Sequence, residues 1–199
     1  NWPAKHIPAI IDTWYPGSQG GHALADILFG DYNPAGRLPV SIPRSVGQSP
    51  VYYNHWWPKR RDYVEETSAP LYAFGHGLSY TTFDYSDLKI LQSGNAANTT
   101  IEVSVEVSNT GERDGDEVVQ LYLSDVVSSV VTPVKQLREF ERVHLAKGES
   151  KTVTFNLTHS ELALFDAEMN HVAEAGEFEV QLGASSQDIR LKDSFELLE

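Results

Sequence analysis

In residues 101–108, Ile101, Val103, Val105 and Val107 alternate with Glu102, Ser104, Glu106 and Ser108. Successive side chains of a strand point to opposite faces, so this run reads as a strand with one dry face and one wet face. Such a strand needs antiparallel neighbours and a second layer over its apolar side. The two-residue period returns downstream. Residues 117–124 (EVVQLYLS) follow a turn at Asn109-Thr110-Gly111, and residues 134–145 hold one or two strands before the Lys147-Gly148 turn. Val153, Phe155 and Leu157 alternate again, as do Phe178, Val180 and Leu182 against Glu177, Glu179 and Gln181; residues 189–198 close the set. Ser160 is placed to cap a short helical turn reaching Leu164. From Thr81 onward the chain is therefore β. Roughly seven short strands with turn signals between them give the pattern of an immunoglobulin-like sandwich.

The first part of the chain follows other rules. Residues 9–14 (AIIDTW) form a short apolar run suited to a buried strand, broken by Tyr15-Pro16-Gly17-Ser18. A helix is expected near residues 20–29, with Ala23, Leu24, Ile27 and Leu28 on one face and Gly30 to end it. A short extended piece follows from Leu38 to Ile42. One strand and one helix cannot bury their apolar faces alone, so their partners are expected from outside this sequence, and the chain reads as cut from a longer one. Residues 44–80 carry no steady period but hold Tyr52, Tyr53, Trp56, Trp57, Tyr63, Tyr72, Phe74 and Tyr80. Long structureless segments are uncommon inside compact domains, so this connector is expected to lie across another surface. The expected division is an α/β end at 1–43, an aromatic connector at 44–80 and a sandwich at 81–199.

Several function classes drop out on composition. The formal net charge is -13, which repels nucleic acid and anionic lipid and suits a neutral ligand such as a sugar. Neither nucleic acid nor membrane is expected as a partner, and no apolar run approaches the ~20 residues of a membrane span. With no cysteine, disulfides, thiolate zinc sites and cysteine nucleophiles are all excluded. The seven histidines are scattered without ligand spacing, so no metal site is assigned. The acidic turn Asp114-Gly115-Asp116 is the nearest approach to a calcium loop. Gly75-His76-Gly77 lacks the spacing and the Lys-Ser/Thr of a phosphate loop, and reads as a sharp turn between domains. No cofactor is expected.

Candidate binding residues cluster in the connector. His55, Trp56 and Trp57 precede Lys59, Arg60 and Arg61. Aromatic faces stack on the C–H faces of sugars and basic groups donate to hydroxyls, which makes His55, Trp56 and Trp57 the candidate substrate-binding residues. The competing role is an interdomain anchor, with the indoles buried against a domain outside this chain. Glu65-Glu66 is the most tempting carboxylate pair, but nothing around it would tune either group for acid–base work, and it reads as a solvated loop. Trp14-Tyr15-Pro16-Gly17 stands where ligands of α/β sheets gather, or is simply a packed turn.

Longer motifs carry a family resemblance. Residues 14–21 (WYPGSQGG) and 23–39 (ALADILFGDYNPAGRLP) resemble the end of the second domain of family 3 glycoside hydrolases. Residues 71–83 (LYAFGHGLSYTTF) resemble the lead into that family's fibronectin type III-like domain, and Asn109-Thr110-Gly111, Gln120-Leu121-Tyr122, residues 133–137 (PVKQL) and Ala175-Gly176 match the domain itself. Residues 45–48 (SVGQ) and 50–53 (PVYY) are similar to bacterial periplasmic β-glucosidases. His76 stands where the family often has Tyr, and Ala73 where it often has Pro. The resemblance spans nearly the whole chain. It implies a mainly β fold: a β–α remnant of an α/β sandwich domain, the connector, and a fibronectin type III-like sandwich. It implies the C-terminal portion of a retaining β-glycosidase, of β-glucosidase or β-xylosidase type, secreted or periplasmic and acting on a glycoside substrate. Such enzymes use two carboxyl groups about 5 Å apart. The resemblance places the Asp nucleophile in an N-terminal barrel and the Glu acid/base ahead of the segment resembled by Trp14 to Gly17. No catalytic residue is therefore assigned here, and the partners implied are those N-terminal catalytic domains. The alternative is a non-catalytic carbohydrate-binding or interaction module.

Overall fold

The computed structural model describes residues 1–56, 62, 67–94 and 98–198. Its first part holds helix α1 (Trp2–His6), helix α2 (Gly20–Phe29) and a 3-10 turn at Val46–Gln48. Helix α2 spans the expected residues, and Gly30 caps its end. The strand expected at residues 9–14 does not form: among the described residues none pairs with it as a strand, and Ile10 and Ile11 are 52% and 42% exposed. A strand exists through a neighbour, and none of the described residues lies beside this one. Helix α2 tells the same story, with Leu24 and Ile27 half-buried and Leu28 and Phe29 exposed.

The second part is a sandwich. Strands β1 (Phe83–Ser93), β2 (Thr100–Asn109), β3 (Gly115–Asp125), β4 (Gln136–Leu145) and β5 (Ser150–Thr158) are followed by helix α3 (His159–Leu162), the short strands β6 (Leu164–Phe165) and β7 (His171–Val172), and then β8 (Gly176–Gly183) and β9 (Ile189–Leu197). They build a three-stranded sheet ordered β1-β2-β5 and a four-stranded sheet ordered β4-β3-β8-β9, with β6 and β7 as a separate small hairpin. The pairings in both main sheets are antiparallel. The alternating valines of β2 face inward, where Val103 sits between Ile90 and Phe155 of its neighbours in the sheet. The opposite layer supplies Val119, Leu121, Phe178, Val180 and Leu182.

Two details depart from the expected pattern. Strand β1 has no clean alternation, because a bulge between Ser86 and Lys89, with Asp87 at φ 53, breaks its register. Helix α3 is capped by Thr158 instead of Ser160, and it stops at Leu162. The Glu161 carboxylate accepts from the Thr158 N–H at 2.7 Å while the Thr158 hydroxyl oxygen accepts from the Glu161 N–H, a reciprocal capping box that a serine two residues later cannot make.

Candidate functional site

Strand β3 is buried on both faces, and that fact organises the functional geometry. Val119, Leu121 and Leu123 point into the sandwich. Glu117 shares their face by the two-residue period and is only 2% exposed. A carboxylate there needs a cation, and Arg37 supplies it from the first part of the chain. Its Nη2 donates to Glu117 Oε2 at 2.7 Å, while the Tyr85 hydroxyl donates to Oε1 at 2.8 Å. Burial pushes the Glu117 carboxyl up, with Arg37 and the Tyr85 hydrogen bond pulling it back. The same burial and the adjacent Glu117 charge hold the Tyr85 phenol well above the usual tyrosine range. His76 is pushed down by burial and by Arg37.

The opposite face of β3 is closed by the connector. Gln120 donates to the carbonyls of Gly75 at 3.2 Å and Ala184 at 2.7 Å, and accepts from the Tyr122 hydroxyl at 2.6 Å. Gly75 has φ 80, and a Cβ there would fall 2.1 Å from Gln120 Oε1; a Cβ on Gly77 would fall 2.2 Å from the Gly36 carbonyl oxygen. The Gly-His-Gly turn is thus the tight crossing between the parts. The Ser186 N–H donates to the Phe74 carbonyl at 3.0 Å. Asn33 donates to the Asp114 carbonyl at 2.9 Å and accepts from the Tyr80 N–H at 2.8 Å. These contacts fasten the segment that precedes the sandwich onto its surface.

The connector continues as an aromatic strap. Tyr53 stacks on Phe74 at 4.3 Å and meets Tyr122 edge-on at 5.8 Å, and its hydroxyl accepts from the Leu137 N–H at 3.1 Å. The His55 carbonyl accepts from the Val134 N–H at 3.0 Å, and Trp56 bridges to Pro133. Next to that contact, Lys135 Nζ donates to the Ser186 carbonyl at 2.5 Å, and burial brings its pKa down to about 8. His55 is half-buried and Trp56 is 61% exposed. So the structure lays His55 and Trp56 on the sandwich of this same chain, with the Trp56 indole open to solvent. Trp57, Lys59, Arg60, Arg61 and the pair Glu65-Glu66 lie outside the described residues.

Beneath the strap is a cavity of about 760 Å³, bordered by His55 and Trp56, the segment after β3, and the α3–β6 corner. Its wall includes Gln136 of the 133–137 motif and Arg138, Asp125, Phe165 and His171, the last four of which do not stand out in the sequence. Asp125 is pushed up to about 6 by burial and by the neighbouring Glu174. The Arg138 Nε is buried and, among the described residues, has no hydrogen-bond partner. At the acidic turn, Asp116 is held by Arg142 at 2.6 Å and His144 at 2.7 Å, and Asp114 accepts from the Lys147 N–H at 2.8 Å. Among the described residues, no three His, Asp or Glu side chains are grouped to hold a metal ion.

A first part holding two helices, fastened to a three-plus-four-stranded sandwich, is a composite with known relatives. Residues 1–80 match the glycosyl hydrolase family 3 C-terminal domain, and residues 117–186 match the fibronectin type III-like domain. The chain is 46% identical over 205 residues to a periplasmic beta-glucosidase of Salmonella typhimurium, covering 98% of this chain and 27% of that protein. It is 45% identical over 196 residues to a beta-xylosidase of Formosa agariphila, covering 96% of this chain and 27% of that protein. Among solved structures, a β-glucosidase from Erythrobacter marinus superimposes with a TM-score of 0.93 at 44% identity, over 98% of this chain and 26% of that one. The chain belongs to glycosyl hydrolase family 3 and corresponds to the C-terminal portion of its members. It spans about a quarter of the length of the relatives it matches.

Proposed function

We propose that this chain is the non-catalytic brace of a retaining β-glycosidase, of β-glucosidase or β-xylosidase type, that removes terminal β-linked sugars. The division into an α/β end at 1–43, a connector at 44–80 and a sandwich at 81–199 belongs to this proposal. One observation carries it. The core of the sandwich is complete, with Val103, Val105, Val119, Leu121 and Leu182 fully buried, whereas Ile10, Ile11, Trp14, Leu28 and Phe29 in the first part are exposed. Each such side chain gains roughly 1.5–3 kcal/mol on full burial, which favours docking onto the preceding part of an α/β domain. The buried Arg37–Glu117 pair and the Gln120 crossing then transmit the sandwich's rigidity to that domain. The nucleophile and the acid/base would stand on the docked domains. A secreted or periplasmic location accords with the Salmonella relative's name, and no helix among the described residues is long and apolar enough to cross a membrane.

The test is a hydrolysis assay with aryl β-glucosides and aryl β-xylosides. The chain alone is expected to show no turnover. Joined to the N-terminal barrel and α/β portion of a family 3 enzyme, it is expected to support turnover. Turnover by the chain alone, or full turnover by the N-terminal portion without it, overturns the brace.

A further inference from the structure

The cavity beneath the strap is built differently from the fastened joint. Its volume of about 760 Å³ lies within the ~300–1,000 Å³ of small-molecule sites. Two aromatic side chains border it while remaining largely in solvent, Trp56 at 61% and Phe165 at 58% exposure. Large aromatics held at a cavity mouth with open faces offer flat apolar platforms. His171 lies 4.9 Å from Phe165, ring centre to ring centre, and extends that side of the wall. The polar part of the wall is Arg138, Gln136 and Asp125. Arg138 brings to the wall a guanidinium whose donors need oxygen acceptors, and among the described residues its enclosed Nε has none.

Charge decides which acceptor. Asp125 shares the wall with Arg138, and Glu174 stands close enough to raise its affinity for protons. An anionic ligand would meet those carboxylates and a chain of net charge -13. A ligand with neutral oxygens and flat C–H faces meets neither penalty. We propose that this cavity is a binding site for a neutral β-linked oligosaccharide, with Trp56 and Phe165 stacking on sugar rings and Arg138, Gln136 and Asp125 taking hydroxyls. The choice of sugar as ligand class rests on the glycosidase reading above. The site would hold a chain of sugar units against the sandwich through contacts this chain makes on its own.

The experiment is a titration of the full 199-residue chain with cellotetraose and xylotetraose. Heat and tryptophan fluorescence are followed to roughly 10 mM ligand, enough to saturate a millimolar site. Saturable one-to-one binding to at least one of them is expected. Trp56→Ala and Phe165→Ala should each weaken it about tenfold, or 1.4 kcal/mol. Both are exposed, so their melting temperatures should match the parent chain, which separates lost contact from lost fold. Arg138→Lys keeps the charge, removes the planar fork, and should also weaken binding. No saturable signal from the natively folded chain overturns the site. So does undiminished binding by Trp56→Ala, or tighter binding of an oligogalacturonate than of either neutral sugar. Hydrolysis by the joined enzyme with no binding here overturns the site and leaves the glycosidase reading standing. Binding here without hydrolysis by the joined enzyme overturns the glycosidase reading alone.

Discussion

The two parts of this chain treat their apolar side chains in opposite ways. In the sandwich, Ile101, Val103, Val105, Val119 and Leu121 are completely buried. In the first part, Ile10, Trp14, Leu28 and Phe29 are more than half exposed. Yet the two are not loosely connected, because Arg37, Asn33, Phe74 and Gly75 all bond into the sandwich. The contrast teaches that attachment and completion are separate properties. The first part is held firmly along one side and left unfinished on the other, as expected of a segment that serves as the seam between two bodies.

The sharpest way to break that comparison is to cut the attachment. Glu117→Ala leaves Arg37 buried without its carboxylate, a change that costs about 3–5 kcal/mol when a buried pair loses one member. Urea unfolding of the variant should show that loss. Glu117→Gln keeps the shape and a hydrogen-bond acceptor for Tyr85, and should cost less. Equal and small losses for the two would mean that the pair does not hold the seam. A core truncation calibrates the other side: Leu121→Ala should cost about 2–5 kcal/mol by the same measurement.

How much of this could be read from the residues depends on where each partner lies. Strand β2 was legible because both of its neighbours are in the chain and its faces differ in polarity. Strand β1 was not separately legible, since the bulge at Asp87 interrupts its period. Residues 9–14 have the composition of a strand and are not one, because composition does not supply a neighbour. The alternation within residues 117–124 does place Glu117 with Val119 and Leu121, but Val118 and Tyr122 make the other face apolar too, and the pattern then names no core side. His55 and Trp56 were legible as a cluster. Their neighbours Arg138, Asp125, Phe165 and His171 were not, because the cavity is assembled from segments some 70 to 115 residues away, and no local spacing encodes that.

A smaller effect sharpens the comparison by pH. Asp125 titrates near 6, above an ordinary aspartate, because of burial and the Glu174 charge. An acid with a raised pKa in the fold binds its proton more tightly when folded. Its stabilising contribution is therefore present in full below the ordinary value of 3.8 and is lost as pH rises through about 6. Asp125→Asn removes that penalty. The variant should be more stable than the parent at pH 8, by on the order of 1 kcal/mol once solvent screening of a half-buried group is allowed for. The advantage should vanish near pH 4. His55, His171 and Arg138 border the same cavity, so thermal melts of Asp125→Asn and parent should be compared at matched pH throughout. An advantage independent of pH would assign the effect to packing instead.

The smallest expected effect is the most informative about the seam. Ile10→Ser with Ile11→Ser changes two apolar side chains that touch solvent in this chain. In the chain alone the pair should shift stability by no more than about 0.5 kcal/mol each, as exposed substitutions do. In a complete family 3 enzyme the same two positions would be expected to sit in a buried strand. There, each loss should approach the roughly 1.5–3 kcal/mol of a fully buried aliphatic side chain. Melting the double variant in both settings measures the difference directly. A large loss in both would mean that the first part completes its own core, and equal silence in both would mean that the exposed face docks onto nothing. Only silence in the chain and damage in the enzyme fits a segment that is fastened on one side and finished by its neighbour on the other.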